Sequence, residues 1–201
     1  MHPTDRRRTR IRQVLDQRLG WVRCALEAVY HRHNCSAILR TADALGIHTV
    51  HLVEGHFRPG RGAARGAERW LDLRWEPDAL TAIAGIRAEG YAIWVADFAE
   101  DGVPPEEVPL EQPVCLWFGA ELVGVSPAAR AAADGVITLP MRGFAQSLNV
   151  SVAAALALRP VAERARNRDN ALLTANTREA TWAQWMARER AIDQAAAEEA
   201  D

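Results

Sequence analysis

Apolar and polar positions along the chain fall into short blocks whose periodicity predicts strands separated by helices. Six apolar stretches bounded by glycine, proline or polar residues are predicted strands: 22–29, 47–53, 70–75, 91–96, 114–118 and 136–139. Helical periodicity predicts helices at 6–19, 34–45, 77–90 and 147–158, a short helix after Ser126-Pro127, and a helical segment beyond Pro160. Because strands that alternate with helices pair in parallel and are covered on both faces, the pattern predicts an α/β fold.

The length of the chain and its apolar stretches indicate one domain. With 201 residues and no internal repeat, we expect a core at 21–160 between helical extensions at 1–20 and 161–201. No apolar run reaches the roughly 20 residues that span a bilayer, so no membrane association is expected. The basic N-terminus lacks the apolar segment of a secretory signal, and we therefore expect a cytoplasmic protein.

The cysteines argue against a metal or disulfide framework. Cys24, Cys35 and Cys115 are odd in number, lack the spacing of metal ligands, and lie in apolar stretches. We expect buried free thiols and no bound metal.

Basic charge is concentrated although the formal net charge is only −2. The chain has no lysine, and arginines cluster near the N-terminus, in the glycine-rich stretch 58–69 and at 159–168. Arginine binds phosphate bidentately and stacks on bases, so these clusters favour RNA contact, although a compositional bias of the genome would also enrich arginine. The residues predicted to contact RNA are Arg7, Arg8, Arg10, Arg61, Arg65, Arg166 and Arg168.

Ligands of parallel sheets bind beyond the carboxyl ends of the strands, where this sequence places three polar segments. Asn34, expected to cap a helix, and Arg40 follow the first predicted strand. Glu121 follows the strand 114–118 between two glycines, and Ser147 and Asn149 precede an alanine-rich helix. Taken alone, each of these residues also has a purely structural interpretation, such as an ion pair between Arg40 and Asp43.

One glycine-rich segment is not a dinucleotide site. Gly60 to Gly66 has the spacing GxGxxxG and begins well after the preceding predicted strand, whereas the dinucleotide fingerprint occupies the strand-to-helix turn itself. We expect an arginine-bearing loop that contacts the substrate backbone.

Together the three polar segments closely resemble the motifs of the SpoU family of RNA ribose 2′-O-methyltransferases, in the SPOUT superfamily. The motifs are Asn34-x-Ser-Ala-Ile-x-Arg40-Thr-Ala, Phe118-Gly-x-Glu121-x-x-Gly124, and Leu139-Pro-Met-x-Gly followed by Ser147-Leu-Asn149-Val-Ser-Val-Ala. They occur in the family's order, and the resemblance covers about residues 22–160.

The resemblance implies a fold, a cofactor and an assembly. The family's sheet contains a deep trefoil knot in its C-terminal part, and members act as homodimers in which Arg40 of one chain would face the cofactor of the other. S-adenosylmethionine would be bound in the knot, mainly by the backbone, at Ala96, Phe98, Gly119, Leu139 and Leu148. The catalytic residues implied by the family motifs are Arg40, Asn34, Glu121, Ser147 and Asn149.

Within the family, the motifs and the short helical extensions are most similar to members that methylate guanosine 18 of tRNA. The alternatives are a family member that acts on another tRNA position or on ribosomal RNA, and a non-catalytic RNA-binding homologue. A nicotinamide or nucleotide enzyme is disfavoured because the glycine fingerprint is absent.

Overall fold

A computed structural model describes residues 4–54, 66–120 and 123–198. Its centre is a six-stranded parallel sheet with the strand order β3-β2-β1-β5-β4-β6. The strands are β1 Val22–Glu27, β2 Thr49–Val53, β3 Asp72–Glu76, β4 Ala92–Ala96, β5 Val114–Phe118 and β6 Gly135–Ile137. The predicted α/β class and parallel sheet are confirmed.

Helices cover both faces of the sheet. They are α1 Asp5–Leu15, α2 Arg32–Ala44, α3 Ala79–Ala88, α4 Pro127–Ala132, α5 Val150–Arg166 and α6 Ala175–Glu198, with short 3₁₀ turns at Ala67–Trp70 and Pro105–Glu107. α2 packs against α5 on one face, and α3 packs against α4 on the other. The two apolar cores lie between these helix pairs and the strands.

Several predicted helix boundaries are wrong: α1 ends at Leu15 instead of 19, and α5 begins at Val150 instead of 147. α2 begins at Arg32 with His31 at its N-cap position, so Asn34 lies inside the first turn and its side chain is available for another contact. α5 continues through Pro160 to Arg166 instead of ending near 158. Pro160 leaves the carbonyl of Leu156 without its helical partner, and this costs little because Leu156 is on the exposed side of the helix.

The two ends of the chain form a third apolar cluster. Ile11 and Leu15 of α1 pack against Trp185 and Met186 of α6. Arg18 just after α1 is fully buried, lies over the Trp185 ring and pairs with the Asp43 carboxylate. The two terminal segments are thereby attached to each other and to α2.

The three cysteines are buried free thiols, as expected from the sequence. Burial raises the pKa of Cys35 and of Cys115 to about 12, so both are neutral thiols near pH 7. Within the described ranges, no helix is long and apolar enough to span a bilayer, and no group of histidine, cysteine and carboxylate side chains is arranged to hold a metal ion.

Candidate active site

A cavity of about 300 Å³ lies at the carboxyl ends of β4, β5 and β6, where three chain segments leave the sheet side by side. All five residues predicted to bind the cofactor line it: Ala96, Phe98, Gly119, Leu139 and Leu148. Ser147 lines it as well. The volume is at the lower end of the range of small-molecule sites.

One wall of the cavity consists of closely packed main chain. A Cβ atom on Gly119 would lie 2.1 Å from the carbonyl oxygen of Gly124. The amide of Gly124 in turn donates to the carbonyl of Ala120 over 2.8 Å, and Gly124 has a φ of +70°. The chain therefore doubles back tightly after β5, in a turn that needs glycine at both positions.

Thr138 is a polar residue of the cavity that was not predicted, whereas Asp97 lies between the predicted Ala96 and Phe98. The Thr138 hydroxyl donates to the carbonyl of Asp97 over 3.1 Å and accepts from the amide of Ala99 over 3.3 Å, which joins the segments after β6 and β4. The Asp97 carboxylate accepts from the amide of Phe98 and contributes negative charge to the cavity. The only indirect sign of Thr138 in the sequence is the glycine at position 102. A Cβ there would lie 2.0 Å from the Thr138 hydroxyl, so the contact requires glycine.

A hydrogen bond joins two of the predicted catalytic residues beside this cavity. The side-chain amide of Asn149 donates to Oδ1 of Asn34 over 3.1 Å. Oδ1 of Asn149 accepts from the amide of Ser151 over 2.9 Å and caps α5. The first and third motifs are thus in contact, although 115 residues separate the two asparagines.

Arg40 does not line the cavity of its own chain. It is exposed and lies about 9 Å along α2 from Asn34, six residues further on. The expected structural alternative, an ion pair with Asp43, is wrong because Asp43 pairs with Arg18. Arg40 makes no ion pair with any described residue, and Glu121 lies outside the described residues.

The arginines predicted to contact RNA fall into three groups. Arg8, Arg10 and Arg168 are exposed, and Arg61 and Arg65 lie outside the described residues together with most of the glycine-rich stretch.

The remaining two of these arginines, Arg7 and Arg166, make stabilising contacts within the protein. Nε of Arg7 pairs with Glu189 over 2.7 Å, and its guanidinium lies over the Trp70 ring. Arg166 donates to the carbonyls of Gln17 and Leu45 and so joins α5 to the ends of α1 and α2. Both arginines therefore have intramolecular roles that the charge pattern did not reveal.

Comparison with known proteins identifies the family. The SpoU rRNA Methylase family matches residues 22–159. The chain belongs to this family. The matched residues contain the cavity and the Asn34–Asn149 contact.

Curated relatives of this SpoU protein are similar over most of their length. The tRNA (guanosine(18)-2′-O)-methyltransferase of Thermus thermophilus is 41% identical over 157 residues, which cover 77% of this chain and 81% of the relative. The enzyme of the same name from Escherichia coli K12 is 38% identical over 173 residues, which cover 85% of this chain and 73% of the relative.

Solved structures have the same fold. The A. aeolicus TrmH/SpoU tRNA modifying enzyme superposes on this SpoU protein with a TM-score of 0.84 at 27% identity, covering 92% of this chain and 97% of that chain. The SpoU methyltransferase AviRb from Streptomyces viridochromogenes, in complex with the cofactor AdoMet, superposes with a TM-score of 0.64 at 25% identity. The superposition covers 78% of this chain and 65% of that chain.

Proposed function

We propose that the protein transfers a methyl group from S-adenosylmethionine to the ribose 2′-hydroxyl of guanosine 18 in tRNA. The observation that carries this proposal is the cavity at the ends of β4, β5 and β6, with the Asn34–Asn149 contact beside it. The substrate is inferred from the relatives in Thermus and Escherichia, and the cofactor from the AviRb complex.

The residues present fit such a cofactor. The absence of a Cβ at Gly119 lets the main chain of Gly124 pack directly against it, and the turns around the cavity offer backbone hydrogen-bonding groups. Ala96, Phe98, Gly119, Leu139 and Leu148 would hold it, largely through their backbone. When bound there, S-adenosylmethionine supplies an electrophilic methyl group on a sulfonium.

The protein's own groups would prepare the ribose hydroxyl. The guanidinium of Arg40 can donate hydrogen bonds to the hydroxyl oxygen, but it has only N–H donors and no acceptor, so it is a poor base. We assign the proton to a phosphate oxygen of the substrate. Asn34, Ser147 and Asn149 orient ribose and phosphate, and positioning of this kind contributes up to about 7–11 kcal/mol in favourable cases.

Glu121 is assigned a supporting role in this scheme. In sequence it lies between Gly119 and Gly124 in the second motif, and it would hold either the backbone of that segment or the guanidinium of Arg40.

A homodimer would complete the site. Arg40 lies outside the cavity of its own chain, so Arg40 of the partner subunit would have to reach it. α2 and α5, which pack side by side, turn apolar side chains outward. Those side chains are Ala37, Ala44, Val152 and Leu156.

The same proposal includes the trefoil knot, an exception to the rule against threaded chains. β6 lies at the edge of the sheet, whereas α5, the next element, packs against α2, β1 and β5 at the centre. Arg164 of α5 donates to the carbonyls of Pro105 and Val108, in the connection between β4 and β5. This is the arrangement expected if α5 passes beneath that connection. An experimental density trace through 119–126 and 138–150 tests the threading.

The tRNA would be held by exposed arginines. Arg8, Arg10 and Arg168 are available in the described structure, and Arg61 and Arg65 belong to the same proposal. A tRNA substrate implies that the protein acts in the cytoplasm.

The first test is methyl transfer from radiolabelled S-adenosylmethionine to an unmodified tRNA transcript and to a transcript with 2′-deoxyguanosine at position 18. We expect label only in the first. Equal label in both would assign the reaction to another tRNA position. No label in either, with label in ribosomal RNA, would assign it to that substrate, and no label in any RNA would favour the non-catalytic homologue.

Arg40→Ala tests the proposed chemistry. Methyl transfer should fall by about a hundredfold or more, while the affinity for S-adenosylmethionine changes by no more than about threefold. Arg87→Ala is the control, because Arg87 is also exposed but pairs with Asp134 on the opposite face of the sheet. Unchanged turnover in Arg40→Ala would refute the assigned role.

A further inference from the structure

Glu27, the last residue of β1, is a buried carboxylate with an unusual set of partners. Its side chain is 3% exposed. Its Oε2 atom accepts one hydrogen bond from Nε1 of Trp117 over 2.8 Å and another from the backbone amide of Ser126 over 3.1 Å. No arginine or histidine of the described residues forms an ion pair with it.

The two donors lie on either side of the segment that forms one wall of the cavity. Trp117 precedes the last residue of β5, and Ser126 is the residue before α4. Between them lie Gly119 and Gly124, whose close contact shapes that wall. Glu27 therefore holds the described residues on both sides of this wall, 117–120 and 123–126, with a single oxygen atom.

Packing and helix capping do not account for a carboxylate at this position. Burial of an unpaired carboxylate is costly, and an apolar side chain of similar size is often as stable or more stable. α4 has its own cap, since the Ser126 hydroxyl accepts from the amide of Ala129, and Pro127 occupies the first helical turn. The remaining role is to fix the positions of residues 117–120 and 123–126.

We propose that Glu27 is a positioning residue that sets the affinity for S-adenosylmethionine by holding residues 117–120 and 123–126 against β1. Glu27 does not line the cavity, so it acts through Gly119, Ala120 and Gly124, which do. This inference rests on the proposed function of the cavity.

The test compares the affinity of the full-length protein and its variants for S-adenosylmethionine by calorimetry. Glu27→Leu fills the space but leaves both donors without an acceptor, and its dissociation constant should rise about tenfold or more. Trp117→Phe removes only the indole donor, and its constant should stay within about threefold of the wild-type value. Glu27→Gln keeps one acceptor oxygen and should recover most of the affinity lost in Glu27→Leu.

Glu189→Leu is the matched control. Glu189 is also a buried glutamate, 9% exposed, but it pairs with Arg7 between α1 and α6, away from the cavity. This substitution should lower the thermal midpoint and leave the dissociation constant unchanged. All constants are measured at a temperature where circular dichroism shows each variant to be folded.

Three results would count against the inference. Wild-type affinity in folded Glu27→Leu would overturn it and leave the proposed function intact. An equal loss in Glu189→Leu would also overturn it, because affinity would then follow overall stability. A wild-type protein that does not bind S-adenosylmethionine would refute the proposed function and this inference together. If Glu27→Leu does not fold, Glu27→Met takes its place, and wild-type affinity in that variant overturns the inference equally.

Discussion

Asn149 donates its side-chain amide to Oδ1 of Asn34 while its own Oδ1 accepts the backbone amide of Ser151. One side chain thus begins α5 and at the same time joins α5 to the first turn of α2. The contact links the segments that follow β1 and β6, which are not neighbours in the sheet order. We expect stability to depend on the oxygen of this amide and the proposed methyl transfer on its nitrogen, so that substitutions can separate the two.

Asn149→Ala should affect both properties. Loss of the cap should lower the free energy of unfolding by about 1 kcal/mol. Loss of the contact with Asn34 should reduce methyl transfer by about tenfold or more. Asn149→Ser keeps a capping oxygen but has no amide donor, so it should retain near wild-type stability and still lose activity. Urea unfolding and initial rates measure the two effects, and full activity in Asn149→Ser would show that the contact is dispensable.

Gly119→Ala should disrupt the cavity wall. The new Cβ would lie 2.1 Å from the Gly124 carbonyl oxygen, a backbone atom that cannot move aside without displacing the turn. We expect the dissociation constant for S-adenosylmethionine to rise by about tenfold or more. Gly143→Ala is the control in the neighbouring cavity segment, because a Cβ there meets no atom within 4 Å. Equal effects of the two substitutions would contradict the steric explanation.

Arg10 and Arg166 should respond oppositely to substitution. Arg10→Ala should weaken tRNA binding and reduce the slope of log K against log salt by about 1, with little change in stability. Arg166→Ala should lower the thermal midpoint, because it leaves the carbonyls of Gln17 and Leu45 without their donor. Filter binding over a salt series and thermal unfolding distinguish the two. A salt slope unchanged by Arg10→Ala would remove Arg10 from the RNA surface.

Acidification should destabilise the protein through His48. Burial, followed by the charge of Arg18, lowers the pKa of His48 from 6.5 to about 4. Below pH 6.5 the unfolded chain therefore binds a proton that the folded protein does not, so stability is lost as the pH falls from 6.5 towards 4. The loss reaches at most about 3 kcal/mol. Urea unfolding between about pH 4.5 and pH 7.5 should give a shallower pH dependence for His48→Asn than for the wild type. Parallel curves would exclude His48 as the titrating group.

The class of fold and the edge of the sheet that carries the site could both be predicted from the sequence. Strand β5 was predicted with its observed bounds, since a short apolar run between Pro113 and Gly119 leaves little freedom. The five cavity residues converge because strand ends of a parallel sheet meet at one edge. The local sequence pattern was therefore sufficient to predict those parts of the structure that follow from regular sheet geometry.

Long-range contacts could not be predicted in this way. Asparagine is a residue type typical of helix N-caps, but the side chain of Asn34 contacts Asn149 instead. Nothing near Asn34 in the sequence indicates that contact. Arg7 and Arg166 look like RNA ligands in a charge pattern, which carries no information about Glu189 or the carbonyl of Leu45. Glu27 was overlooked for the same reason, since a glutamate that ends an apolar strand has no local mark of burial.

The packing of α1 against α6 has a consequence for folding during synthesis. Leu15 emerges from the ribosome 170 residues before Trp185, its partner in the terminal cluster. Until then the apolar side of α1 and the guanidinium of Arg18 lack the aromatic ring that covers them. Every strand of the sheet is synthesised before α6, so we expect α1 to stay accessible to proteases and chaperones until α6 has emerged.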